Sequence, residues 1–242
     1  MSLLEIRNIG KSFGGVLALQ GVSAEIARDE IVGIMGANGA GKTTLFALIA
    51  GHIRPDIGEI MLDARRLDGM RPDRVCRAGV ARTFQIVKPF RGLSALENVA
   101  TAALFGARPA ANWHEAEARA ETILDEVGLA EQAALPAGAL TLSAQKKLEV
   151  ARALATGPRL LLLDEVMAGL TPSEVQAMLE IVRTIKARYG LTVLIIEHVM
   201  RALMDLSDRI VVLHHGERIA EGKPDEVAAD PAVQAAYLGR RE

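Results

Sequence analysis

The chain of 242 residues has one cysteine, Cys76, so no internal disulfide can form. It also has no long apolar run. Its longest stretches, LLLL at 160–163 and LTVLII at 191–196, fall far short of the ~20 residues that a membrane-spanning helix needs. The N-terminal MSLLEIRNIG carries neither the apolar core nor the cleavage pattern of a secretory signal. These absences give the expectation of a cytoplasmic chain whose membrane role comes through a partner. A net charge of −2 lacks the basic excess of a nucleic-acid binder, and nucleic acid is not expected as a partner. Internal repeats and low-complexity segments are absent too. What is present, 50% apolar and 24% charged residues, is the composition of a globular chain long enough for one or two compact domains.

The first sixty-odd residues alternate short β-like runs with turns: LLEIRNI, VSAEIA, EIVGIMG and GEIMLDARRL. From Leu93 to about Ala155 the character is helical, in LSALENVATAALF, HEAEARAETILDEVGL and AQKKLEVARALAT, with a break at LPAGAL, 135–140. After Pro158 the pattern is strand, helix, strand: LLLLDE, then PSEVQAMLEIVRTIKARYG, then LTVLIIEH. Near-continuous apolar strands between amphipathic helices predict a parallel sheet covered on both faces. The segment RIVVLHHGERIAEG predicts a hairpin turning at His215–Gly216.

The stretch GANGAGKTTL, 36–45, follows the apolar run EIVGIM and opens a helix-like run. Three glycines are hard to explain by packing, since each costs about 0.5–1 kcal/mol relative to alanine in regular structure. The spacing G-x-x-x-x-G-K-[ST] between strand and helix is that of a phosphate loop. Bare backbone at Gly36, Asn38, Gly39, Ala40, Gly41 and Thr44 would close N–H groups around phosphate oxygens, and the helix start adds a positive dipole end. Lys42 would reach the β- and γ-phosphates and Thr43 would hold Mg²⁺. A second acidic site ends the apolar run RLLLLDE, 159–165: Asp164 on the metal side, and Glu165 orienting or deprotonating the attacking water. The expected cofactors are ATP and Mg²⁺.

With these motifs in this order, the chain resembles the ATP-binding subunits of ABC transporters over nearly its whole length. The resemblance implies an α/β P-loop NTPase core with an antiparallel β subdomain and a helical insertion, the core from 1–84 and 158–242 and the insertion from 85–157. It places Phe13, in KSFGG, on adenine; Gln85, in FQ, at metal and water; AGLT, 168–171, at the dimer contact; and His198, in IIEH, at the γ-phosphate. His214 and His215 are expected only to cap a hairpin, Cys76 to be buried and Trp113 to pack under the insertion. ARTFQIVKPF, DEVMAGL and EHVM look most like the subunits that drive bacterial uptake of branched-chain amino acids. Such a chain works with membrane permeases, a second ATP-binding subunit and, indirectly, a periplasmic binding protein, on the cytoplasmic face of the membrane. Urea uptake, lipid export and a non-transport ATP switch are the alternatives.

The family's signature, LSGGQ, is degenerate here. Counting back without gaps from Ala151-Arg152-Ala153-Leu154 places Leu140-Thr141-Leu142-Ser143-Ala144 on it. An alternative with a two-residue deletion places Leu142-Ser143 on its LS. In the first alignment Thr141 keeps a hydroxyl, Ser143 replaces a glycine that lets backbone approach the nucleotide of the opposite subunit, and Ala144 lacks the glutamine's amide. A weak signature harms the partner's site rather than its own, which favours a heterodimer. The permease is expected to dock between Gln85 and Leu104, anchored by Ile86, Val87 and Phe90; the alternative is that these three pack inside the insertion.

Overall fold

The computed structural model describes residues 2–238. Its contacts form two compact units: residues up to Val75 together with those from Thr192 onward, and Cys76–Leu191. The first unit opens with twelve-residue strands β1 (Ser2–Phe13) and β2 (Val16–Ala27). β3 (Ile31–Met35), α1 (Lys42–Ile49), β4 (Ile57–Leu62) and the two-residue β5 (Arg65–Arg66) follow. One sheet runs β2-β1-β4-β5, antiparallel throughout. In β1, Leu4 and Ile6 face the core, whereas Arg7 points outward to Glu59 of β4 at 2.8 Å. In β2, Val22, Ala24 and Ile26 are buried while Ser23, Glu25 and Ala27 are exposed, the period of two of a sheet buried on one face. The short α2 (Pro72–Arg77) carries the chain from this unit into the next.

The second unit contains β6 (Val80–Arg82), α3 (Ala95–Ala103), α4 (Trp113–Glu126), α5 (Leu142–Ala155), β7 (Leu160–Asp164) and α6 (Pro172–Tyr189). Each of the four helices starts at a side-chain cap, from Ser94, Asn112, Thr141 and Thr171 respectively. Such caps satisfy amide groups that the first turn leaves without partners. α6 has Pro172 in its first turn and stops at Gly190, in the left-handed region that glycine favours. β6 and β7 run parallel, with Arg82 opposite Leu162.

The chain then returns to the first unit through β8 (Thr192–Ile196), α7 (Met200–Leu206), β9 (Arg209–His214), β10 (Glu217–Gly222), α8 (Pro224–Ala229) and α9 (Pro231–Leu238). Here the strand order is β10-β9-β3-β8, with β3 parallel to both neighbours. Every residue of β3 and β8 is buried, which accounts for apolar runs without alternation. Gly33 admits α7 to the face of β3: a Cβ there would lie 2.6 Å from Ser207 Oγ and 2.9 Å from Leu203 Cδ1.

The hairpin expected at His215–Gly216 joins β9 to β10, and both turn residues have positive φ. β6, β7 and α6 cluster with the helices of the second unit. Trp113, expected to pack under the insertion, is the first residue of α4 and is 43% exposed. Cys76 is half-buried, and that burial pushes its thiol pKa up. Among the described residues, no helix is long and apolar enough to cross a membrane.

Candidate nucleotide site

In the first unit, the buried strand β3 delivers the chain to the loop 36–41, and α1 begins at Lys42. The loop curls around the lysine: Lys42 Nζ donates to the carbonyls of Gly36 at 2.6 Å and Ala37 at 3.0 Å. Its ammonium is thereby held at the loop, although the residue is only 6% exposed. Two glycines have separate reasons. Gly41 precedes α1 at φ 102, and a Cβ there would sit 2.6 Å from the Ala18 carbonyl. Gly39 has nothing within 4 Å of a Cβ, so its reason is the backbone: φ 80 lies in the left-handed region that glycine favours. No side chain caps α1, unlike the four helices of the second unit. Its first amides are therefore available to an anion.

Asn38 is exposed and Ala40 buried, while Thr43 and Thr44 lie in the first turn of α1, Thr43 exposed. In the same unit, Phe13 ends β1, 48% exposed, with Lys11 Nζ 5.4 Å from its ring centre. His198 follows β8 and is exposed.

In the second unit, three predicted residues come together. Asp164 ends β7 and Glu165 follows it, 2% and 7% exposed, and Gln85 follows the parallel neighbour β6. Gln85 Nε2 donates to Glu165 Oε2 at 2.7 Å. Thr83, fully buried, accepts the Asp164 amide at 3.0 Å on its hydroxyl. Arg82 binds Asp164 Oδ2 at 2.7 Å, so the buried carboxylate has a charged partner. Glu165 has φ 53, a left-handed conformation that costs a non-glycine residue about 1 kcal/mol.

The loop after β6 is held by its backbone. Glu149 of α5 accepts the amides of Phe84 and Lys88, each at 3.0 Å, and Arg152 donates to the Lys88 carbonyl at 3.0 Å. Asn98 of α3, fully buried, accepts the Phe90 amide and donates to the Phe90 carbonyl. The apolar side chains of this loop point the other way: Ile86 is 71% exposed and Phe90 51%, with Val87 intermediate.

Thr141 N-caps α5, its hydroxyl accepting the Ala144 amide at 3.3 Å. Ser143, in the first turn, hydrogen-bonds Glu174 and helps hold that carboxyl below the usual range, after the larger contribution of the Thr171 amide. Both hydroxyls thus serve local structure. Sequence reasoning missed Arg82, Lys146 and Glu149. The three-residue spacing of Lys146, Glu149 and Arg152 was the available signal, but in sequence it is indistinguishable from a solvated helix face.

The donor types fit ATP with magnesium. Magnesium takes hard oxygens in octahedral geometry and uses one or two carboxylates alongside substrate phosphates. Each unit by itself has oxygens of that type, the exposed Thr43 hydroxyl in the first and the Asp164 carboxylate in the second, and the uncapped start of α1 has amides suited to phosphate. No group of three or more His, Cys, Asp or Glu that could hold a metal exists among the described residues.

Comparison with known proteins agrees with this geometry. Residues 19–168 match the family model described as ABC transporter, and residues 217–242 match that of the branched-chain amino acid ATP-binding cassette transporter. The high-affinity branched-chain amino acid transport ATP-binding protein LivG of Salmonella typhimurium is 40% identical, over 98% of both chains. Among solved structures, a nucleotide-free ATP-binding cassette from an ABC transporter superposes with TM-score 0.90 at 30% identity, over 99% of this chain and 100% of that one. A dimeric post-hydrolysis cassette bound to ADP and Pi has TM-score 0.82 at 27% identity, over 91% and 98%.

Proposed function

The chain belongs to the ABC transporter family and is an ATP-hydrolysing cassette; on that premise we propose that it drives uptake of branched-chain or similar hydrophobic amino acids through a membrane permease. It would act peripherally, on the cytoplasmic face. The match of residues 217–242 to the branched-chain model and the likeness to LivG support the substrate class over urea uptake, lipid export or a non-transport switch.

Phe13 stacks on adenine, and the backbone of Gly36, Asn38, Gly39, Ala40, Gly41 and Thr44 encloses the phosphates with Lys42. Thr43, Gln85 and Asp164 would hold magnesium, which neutralises phosphate charge when bound. Glu165 orients the attacking water and accepts its proton, and His198 contacts the γ-phosphate. The reaction is phosphoryl transfer to water, achieved by positioning and charge stabilisation. Thr141 and Ser143 face the nucleotide of a second ATP-binding subunit, and a different partner chain with an intact signature is the favoured arrangement.

One observation carries the coupling to transport: the loop that bears Gln85 is staked by its backbone while Ile86 and Phe90 stay exposed. A loop so held can present apolar side chains to a permease and still keep Gln85 on Glu165. The test is crosslinking from Val87→Cys and Phe90→Cys, in a Cys76→Ser background, to the co-expressed permease. Crosslinks that alter leucine uptake are expected. Their absence in a complex shown to be assembled and active rules out this surface.

A further inference from the structure

Lys146 is a charged residue where a packing residue would be cheaper. It lies in the second turn of α5 and is 3% exposed. Moving an ammonium out of water costs several kcal/mol unless hydrogen bonds replace the lost hydration. A methionine of similar length would fill the same space without that cost. The bonds that Lys146 makes are specific: its Nζ donates to the carbonyl of Glu165 at 2.9 Å and to that of Gln85 at 3.2 Å. These are the two residues whose side chains bond each other at 2.7 Å. One ammonium therefore holds both backbones of the pair.

We propose that Lys146 is the positioning residue for Glu165, fixing the peptide from which its carboxylate is aimed. Glu165 stands in the left-handed region at φ 53. Such a residue persists only where its surroundings determine it, and the Glu165 carbonyl is the part that would swing if the backbone relaxed toward an ordinary conformation. Lys146 pins that oxygen. The same ammonium pins the Gln85 carbonyl, so the Nε2 that meets Glu165 is set from its backbone as well. Next along the same face of α5, Glu149 binds the amides of Phe84 and Lys88 on either side of Gln85. α5 is thus the strut of the water-handling pair, and its N-terminus is Thr141, in the signature segment. A change at that segment or at the exposed loop reaches Glu165 through Lys146 without a contact of its own.

This inference rests on the reading that Glu165 handles water, and the test separates the two. Steady-state phosphate release and ATP affinity are measured on the full chain for Lys146→Met, Lys146→Arg, Glu165→Gln and the double variant Lys146→Met/Glu165→Gln. Lys146→Met should lower kcat tenfold or more and leave KM for ATP within twofold, because the phosphate loop belongs to the other compact unit. Lys146→Arg, which keeps two donors, should recover at least a third of the rate. In the Glu165→Gln background, Lys146→Met should add no further loss in single-turnover hydrolysis, since one acts through the other. If Glu165→Gln hydrolyses at the unmutated rate, the underlying reading fails. If Glu165→Gln abolishes turnover and Lys146→Met leaves kcat unchanged, the positioning role fails. Equal multiplicative losses in both backgrounds overturn it as well. Should Lys146→Met not fold, Lys146→Gln, too short to reach both carbonyls, replaces it with the same expected kcat loss and the same contradicting results.

Discussion

On the function proposed above, the phosphate loop of the first unit and the signature segment of the second are two routes to one task, approaching phosphate with backbone. Between Gly36 and Thr44 the chain has three glycines, and α1 starts with no side-chain cap. Between Leu140 and Ala144 it has none, and the Thr141 hydroxyl already occupies the Ala144 amide. The start of α1 leaves its amides without a side-chain cap; the second segment uses the Ala144 amide to stabilise its own helix. Gly39 meets the needs of its left-handed backbone at φ 80 and leaves the space beside it open. On the function proposed above, LTLSA is a segment that favours its own local stability over contact with nucleotide.

The largest effect should come from breaking the stronger side. Lys42→Ala removes an ammonium held against two loop carbonyls and should weaken ATP binding by about 100-fold, equivalent to about 2.7 kcal/mol. Equilibrium binding of a fluorescent ATP analogue measures it; an affinity within threefold of the unmutated chain would separate Lys42 from the phosphates. A smaller effect should follow from strengthening the weaker side. Ser143→Gly with Ala144→Gln should raise phosphate release by the isolated chain by about fivefold, about 1 kcal/mol of transition-state stabilisation, without changing ATP affinity. No increase would show that LTLSA already serves as a signature. The smallest effect concerns stability. Thr141→Ala should cost about 1 kcal/mol by loss of the α5 cap, read as a lower urea midpoint at unchanged slope. No shift in midpoint would mean that the hydroxyl is not committed to the helix and is left to the nucleotide.

Residues with a periodic or spaced pattern are legible in the sequence. The strands EIVGIM, LLLLDE and LTVLII, the hairpin at His215 and the phosphate loop all announce themselves through apolar continuity, turn chemistry or glycine spacing. Gln85, Asp164 and Glu165 also meet as a group, because parallel pairing of β6 with β7 brings the ends of both strands level. What stayed hidden depends on contacts between distant segments. Lys146 and Glu149 look like any charged helix positions until the fold buries them against the loop after β6. Arg82 is one arginine of many until its strand lies beside Asp164. Trp113 misled because a large aromatic suggests a core, whereas at the first position of α4 its ring stays largely at the surface.

The unequal quality of the two segments is tested most directly in an assembled pair. The chain is combined with the second ATP-binding subunit of its transporter, and phosphate release is measured with Glu165→Gln on this chain or the corresponding change on the partner. The account predicts that the pair hydrolyses ATP at least tenfold faster than this chain alone. It also predicts that Glu165→Gln here removes nearly all of that rate, whereas the partner's change removes only a minor part. Equal losses from the two changes would contradict it, for they would mean that a segment without glycine completes a nucleotide site as well as one with it.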